Sequence, residues 1–357
     1  MSRRYSCLGC ITRLLTVLIL AGAGAAALVY YSLKRPYQGF EKPVILDFPK
    51  GTTTRGMADQ LAQAGVIRYA WEFLAVRSLR PRARLLAGEY QFAQPASAST
   101  VFDRIARGDV FFYELTVPEG SDMFDIAASL QRLEFLSSGD FLSAARNPGL
   151  IRDLAPGAPT LEGYLFPSTY RLARTTTVVQ LCRMMTEQFR KNWRELGAAN
   201  PSGNVNAIVT LASMIEKETA LPAERPLVAS VYTNRLRIGM ALDCDPTTIY
   251  AARLEERFHN TIYRSDLASD NAYNTYRHAG LPPGPIANPG LAALKAALAP
   301  ADTKFLYFVA KADGSGGHQF SETKEQHDVA VQQYRRATRQ TAPAPATTRP
   351  RHHRRRA

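Results

Sequence analysis

Cysteine is scarce in this chain, four in 357 residues, and the four fall into two unlike pairs. Cys7 and Cys10 form a C-x-x-C with no second pair to complete a tetrahedral zinc site. Cys182 and Cys244 lie far apart in the chain, and two thiols at one spacing do not establish a bridge. Histidine is also thin: His259, His278, His318 and His327 are scattered without ligand spacing. Asp243 and Asp245 lack the companions of an oxygen-ligand loop, so no metal and no cofactor is expected. The glycine-rich "DGSGGH" lacks the Lys-Ser/Thr of a phosphate-cradling loop.

Acid is nearly absent from both ends. Residues 1–42 hold six Lys/Arg and one acid, and residues 335–357 hold eight Arg and none. Of the net charge of +13, nothing is left for the body, where 30 basic residues face 30 acidic ones. A duplex-binding groove would carry its charge on the folded body, so no nucleic-acid partner is expected. The tail "TAPAPATTRPRHHRRRA" has no apolar periodicity and reads as a disordered, solvated segment over 336–357.

What is present begins with "LLTVLILAGAGAAALVYYSL", Leu14–Leu33, which has no charge. Such a run makes about 30 Å of helix, enough to span a bilayer core. Small residues in "AGAGAAA" also suit a cleaved signal peptide. The length of the run, and Tyr30-Tyr31 beside Lys34-Arg35, favour a retained single-pass anchor over 14–33. Residues 1–13 would then lie on the cytoplasmic side and 34–43 form a linker, although flanking charge specifies orientation only weakly. On either reading the body is delivered out of the cytoplasm.

Beyond the linker the chain repeats itself. "VILDFPKGTTTRGMADQLAQAGVIRYAWEFLAV" (44–76) matches "YELTVPEGSDMFDIAASLQRLEFLSSGDFLSAA" (113–145), with Pro49-Lys50-Gly51 falling on Pro118-Glu119-Gly120. Each copy starts with an alternating strand pattern, turns at Pro-x-Gly and then shows helical spacing twice. The first copy is expected to close with "AGEYQF" and a helix at "STVFDRIARG", the second with "EGYLF" and a helix at "TTVVQLCRMMTEQF". From about residue 205 the pattern is mainly helical, ending in a hairpin whose strands "FLYFVAK" and "HQFSET" flank "ADGSGG". The expected fold class is α+β: a small β-α-α-β subdomain over 44–112 and a larger, helix-rich mixed domain over 113–335.

"LASMIEKETA" (211–220) places Glu216 and Glu218 at the end of an apolar run. On a helix Glu218 shares a face with Leu211, Met214 and Ile215, whereas Glu216 points elsewhere, toward a more polar side. Desolvation favours the neutral carboxyl and raises its pKa, as protonation of a poor leaving group requires. An acid at a helix end can equally be a solvated terminus.

"LASMIEKETA", then "ERPLVASVYTNRLRIGMALDCDPTTIY" and "AYNTYRHAGLPPGPIANPGLAALKAAL", resemble the endolytic murein transglycosylase (MltG, YceG-like) family. "LEGYLFPSTY" (161–170) and "YFVAKADGSGGHQFSETKEQHDVAV" (307–331) match its other blocks in order. The resemblance implies a membrane anchor, a LysM-like small subdomain and a catalytic domain facing the wall. Its catalytic acid maps onto Glu218, the glutamate followed by Thr, with Glu216 as second choice. The implied reaction cuts the β-1,4 bond from N-acetylmuramic acid to N-acetylglucosamine inside glycan strands. It does so without water, leaving 1,6-anhydro ends, and would terminate or trim nascent strands, with peptidoglycan synthases as candidate partners. Candidate substrate contacts in the matching blocks are Glu162, Tyr164, Tyr170, Asn234, Arg235, Asp245, Thr247, Tyr273, Asn274 and Tyr276, with the loop from Gly280 to Pro283. Planar aromatics with amide and carboxylate groups suit sugars, and the same residues suit packing and turns. Ser168 stands where the family usually has Asp, which puts any role of that carboxylate in doubt here. Two rivals remain open: a hydrolase using Glu162 or Asp245 as second carboxylate, and a non-catalytic wall-binding scaffold.

Overall fold

The computed structural model of the chain describes residues 4–197 and 204–341, with side chains from 12 to 339. The C-x-x-C and most of the basic tail lie outside the described side chains. Two compact units divide it. One takes the chain up to Glu114 together with Arg171–Thr175, and the other takes Leu115–Tyr170 and everything from Thr176.

The first unit contains α1 (Arg4–Lys34), β1 (Val44–Phe48), α2 (Thr54–Gln63), α3 (Ala70–Leu79), β2 (Gly88–Phe92) and α4 (Ala98–Arg107). β1 and β2 pair antiparallel, from Val44 opposite Phe92 to Phe48 opposite Gly88. Helix α2 starts where Thr53 accepts a hydrogen bond from Gly56 N, which satisfies one of the helix's free amides. Helix α4 stops at Gly108, whose left-handed φ of 73° closes the last turn. The core is apolar, with Phe48, Leu61, Phe73, Tyr90, Phe92 and Phe102 all fully buried. Thr12–Lys34 of α1 is long and apolar enough to cross a membrane, and its length and composition satisfy both an anchor and a signal sequence. Its last turn is different: Leu33 is buried in this core, and the Ser32 hydroxyl bonds the Glu72 carboxylate. The segment after it is not a free tether, because Tyr37 bridges Ala96 and Gly39 N donates to Gly65 O.

The chain passes between the units in β3 (Tyr113–Val117) and β4 (Ser168–Leu172), which pair with each other. The second unit adds α5 (Met123–Leu130), α6 (Ser138–Ala145), a short 3₁₀ turn at Pro148–Leu150 and α7 (Val178–Glu195). Helices α8 (Val205–Glu218), α9 (Arg225–Arg237), α10 (Asp245–Leu254), the single turn α11 (Arg264–Leu267) and α12 (Leu291–Leu298) follow. β5 (Tyr307–Ala310), β6 (His318–Ser321) and α13 (Lys324–Thr341) complete it. The mixed α+β class holds, and the expected C-terminal hairpin is the antiparallel β5–β6 pair. Helix α13 runs into the stretch read as a disordered tail.

One expectation is corrected. "EGYLF" is not the closing strand of the second repeat; Ser168–Leu172 is. The amides of Gly163 and Leu165 both donate to the Asn288 side chain, 2.8 and 2.9 Å, so they cannot serve a sheet ladder. Gly163 has a φ of 87°, and a Cβ there would stand 2.4 Å from Pro285. Only glycine fits that turn.

Candidate active site

Helix α8 is buried on all sides from Val209 to Ile215. Val209, Ala212, Met214 and Ile215 are fully buried, each large apolar side chain contributing about 2 kcal/mol. The helix ends at Glu218 because Thr219 is extended, with φ −138° and ψ 131°. The final carboxyl therefore projects from a rigid stem onto the wall of a cavity of about 370 Å³. Arg235, Asp243, Asp245 and Tyr276 line the same cavity, and Tyr307, Phe308, Lys324 and His327 face it from the C-terminal hairpin and helix.

Burial pushes the Glu218 carboxyl above its ordinary value, and the negative charge of Asp245 adds to this. The Cys244 thiol, the Tyr232 hydroxyl and His318 oppose the rise. Tyr232 Oη donates to Glu218 Oε1 at 2.8 Å.

Glu216 is placed otherwise. Its side chain is only 5% exposed, and Arg225 Nη2 donates to Oε1 at 2.7 Å while Gly290 N donates to Oε2 at 2.9 Å. The sequence placed Glu216 toward a more polar side. The structure instead buries this carboxyl and ties it to a guanidinium, so it braces α8 against α9 and the start of α12. Both its oxygens are occupied.

A family model described as the YceG-like family matches residues 46–333. The chain belongs to the YceG-like family. It is 29% identical over 331 residues to an endolytic murein transglycosylase of Bacillus subtilis (strain 168), covering 87% of this chain and 90% of that one. The endolytic murein transglycosylase of Streptococcus pneumoniae serotype 2 is 28% identical over 327 residues, covering 82% of this chain and 59% of that longer protein. The crystal structure of the YceG-like protein lmo1499 from Listeria monocytogenes matches with a TM-score of 0.54 and 28% identity. That match covers 81% of this chain and 99% of the solved one.

In this YceG-like chain, four of the residues singled out from sequence meet at the cavity: Glu218, Arg235, Asp245 and Tyr276. Tyr276 Oη donates to Asp245 Oδ1 at 2.7 Å. Arg235 lines the cavity, and its guanidinium donates to the carbonyls of Leu306 and Leu242. The others stand behind. Glu162 is fully buried and receives Met123 N, Tyr250 Oη and Asn288 Nδ2. Tyr164 packs on Phe189 and donates to Asn206, and Tyr170 donates to the Phe166 carbonyl. Asn234 holds the carbonyls of Thr303 and Phe305, and Asn274 those of Leu267 and Ser269. Thr247 pairs with Thr275, and the Tyr273 ring leans on Tyr250 at 5.1 Å. Pro283 O, in the "GLPP" loop, accepts from Asn206. Ser168 opens β4 outside the cavity lining.

Tyr307, Phe308, Lys324 and His327 were missed, as were Tyr232 and Cys244 beside the carboxyl. Their only signal was membership in the blocks "VYTNRL", "LDCDPTT" and "YFVAK…EQH". Lys217 and Pro246, the chain neighbours of Glu218 and Asp245, line a second cavity of about 720 Å³ with Phe124, Tyr250 and Arg253. Cys182 and Cys244 are free, buried thiols. Among the described residues, no group of three or more His, Cys, Asp or Glu is placed to hold a metal ion.

Proposed function

We propose that this chain is a lytic transglycosylase that cuts peptidoglycan glycan strands internally, with Glu218 as its single acid and base. The observation that carries the reading is one carboxyl, lifted above its ordinary pKa by burial, at a helix end on the wall of a cavity. The relatives named endolytic murein transglycosylases supply the substrate class. A neutral Glu218 donates its proton to the oxygen linking N-acetylmuramic acid to N-acetylglucosamine, and the C1–O bond breaks. The C6 hydroxyl of the muramyl ring then attacks C1, and its proton passes to the Glu218 carboxylate. The acid is regenerated and a 1,6-anhydro end is left. No water is consumed, and the attack gains from its intramolecular geometry.

A hydrolytic muramidase is the second reading, because a glycosidase needs a second carboxylate and Asp245 shares the cavity. Glu162 is the weaker suspect, since its oxygens are engaged away from the cavity. In our reading α1 anchors the chain in the plasma membrane with its N-terminus in the cytoplasm and the body on the wall side. The β-α-α-β arrangement of the first unit serves as a LysM-like grip on the glycan, and strand termination during synthesis is the cellular role.

The test is digestion of purified glycan strands by the full-length chain in detergent, with mass analysis of the new ends. Anhydro ends, lighter by one water than reducing ends, support transglycosylation; reducing ends favour the hydrolase. Intact strands leave the scaffold reading.

A further inference from the structure

The polar partners of the Glu218 carboxyl are Tyr232 and Cys244, which lie inside the matching blocks but were not among the candidate site residues. Tyr232 is 1% exposed, in the middle of α9, and its hydroxyl sits 2.8 Å from Glu218 Oε1. The ring is fixed by an edge contact with Phe308 at 6.1 Å, so the hydroxyl arrives from one direction only. Cys244, fully buried at the N-terminus of α10, places its thiol against both the Tyr232 hydroxyl and the Glu218 carboxyl. Toward the carboxyl the Tyr232 hydroxyl is the donor, to Oε1 at 2.8 Å.

We propose that Tyr232 is a positioning residue for the acid: by donating to Oε1 it makes Oε1 the carbonyl oxygen and leaves Oε2 to carry the transferable proton. This rests on the reading of Glu218 as the catalytic acid. A neutral carboxyl has one protonated oxygen, and a fixed donor on Oε1 excludes the proton from it. When Oε2 gives its proton to the glycosidic oxygen, the bond from Tyr232 becomes charge-assisted and strengthens, so it favours the transition state over the ground state. When the carboxylate takes the C6 hydroxyl proton back, Oε1 is still held by Tyr232, so the proton returns to Oε2.

The groups facing Glu218 are Tyr232 from α9, Cys244 and Asp245 from the start of α10, and His318 from β6, itself 2.7 Å from Glu224. Arg235, Asp243, Lys324 and His327 stand further round the cavity. All of these remain when Tyr232 alone is changed, so the difference between two enzymes isolates the one hydroxyl.

The experiment compares the pH–rate profiles of the full-length wild type and Tyr232→Phe on purified glycan strands. Phe keeps the ring against Phe308. Activity needs the protonated acid, so it falls as pH rises through the Glu218 pKa. Loss of a donor to the carboxylate raises that pKa, and the alkaline limb should move up by about one pH unit. kcat should fall about tenfold with KM little changed. Site-specific incorporation of a ring-fluorinated tyrosine at 232 gives a stronger donor of the same shape and should move the limb downward. A limb that superimposes on wild type in both proteins overturns the proposal, whatever happens to kcat.

Infrared spectroscopy supplies a readout independent of turnover. The protonated-carboxyl stretch missing from Glu218→Gln should rise in frequency in Tyr232→Phe, because its carbonyl oxygen has lost a donor; an unmoved band also overturns the proposal. Full activity in Glu218→Gln would instead defeat the catalytic reading, which the band shift alone would not rescue.

Discussion

At Pro49-Lys50-Gly51 and again at Pro118-Glu119-Gly120 the chain leaves a strand through the same turn, with Thr52 N bonded to Pro49 O and Ser121 N to Pro118 O. Both glycines are left-handed, at φ 93° and 75°. Around Gly51 the space is open, with no atom within 4 Å of where a Cβ would stand. Around Gly120 it is occupied: its amide donates to Asn288 O, its carbonyl accepts Lys217 Nζ at 3.1 Å, and Glu216 lies 3.5 Å from the Cβ position. The helices that follow differ likewise. Thr53 caps α2 and makes no further contact of note, whereas Asp122 caps α5 and also pairs with Arg253 of α10. A turn is local chemistry and can be copied; what the copy touches is not. The first copy packs an apolar core, and the second has become the footing of the helix that carries Glu218.

Five changes break or sharpen this comparison. Glu218→Gln should lower strand cutting by at least about a hundredfold while the folded state survives, since general acid catalysis contributes at least that much. Anhydro-end release together with thermal melting checks it. On the proposed role of Glu218 the wild type should lose activity as pH rises, because that role needs the protonated carboxyl, whose pKa burial raises. Next, Asn288→Ala removes the buried side chain that serves the amides of Gly163 and Leu165, the Ser121 carbonyl and Glu162. Stability should fall by about 4 kcal/mol, as several buried groups lose partners at once, measured by urea unfolding. Glu216→Gln leaves Arg225, 8% exposed, with only Glu119 at 3.9 Å as a carboxylate partner. A loss of about 3 kcal/mol is expected, with the pH profile of the remaining activity unmoved, which separates brace from acid. Smallest is Gly51→Ala, about 1 kcal/mol from the left-handed backbone alone, with cutting unaffected. Gly120→Ala should cost about the same from its left-handed backbone, since Glu216 stands at ordinary contact distance from the added methyl.

Much of this was legible beforehand. The spacing of Leu211, Met214, Ile215 and Glu218 foretold both the α8 helix and the acid at its end, because helical period depends on neighbours in sequence. The repeat foretold the two strand-turn-helix-helix runs. It failed at "EGYLF", where alternating apolar residues look like a strand but Asn288, more than a hundred residues later, takes the amides. The helical-face reading gave Glu216 a more polar side but could not show its burial, because its partner Arg225 lies on another helix. Of the candidate contacts, Arg235, Asp245 and Tyr276 reached the cavity, while Glu162, Asn234, Asn274 and Thr247 turned inward to hold loop backbones. A polar residue in a family block has the same composition whether it binds sugar or satisfies a buried carbonyl.

The amino-acid order alone determined the apolar N-terminal helix, the neutral body between basic ends, the duplicated Pro-x-Gly turn and the helix ending in acid. Each of these depends on residues within a few positions of one another. Which carboxyl meets open space, which meets a guanidinium, and that a tyrosine on the next helix holds Oε1 were decided only when distant segments packed. Desolvation and hydrogen bonding depend on what lies within a few ångströms in space, and chain distance does not encode that.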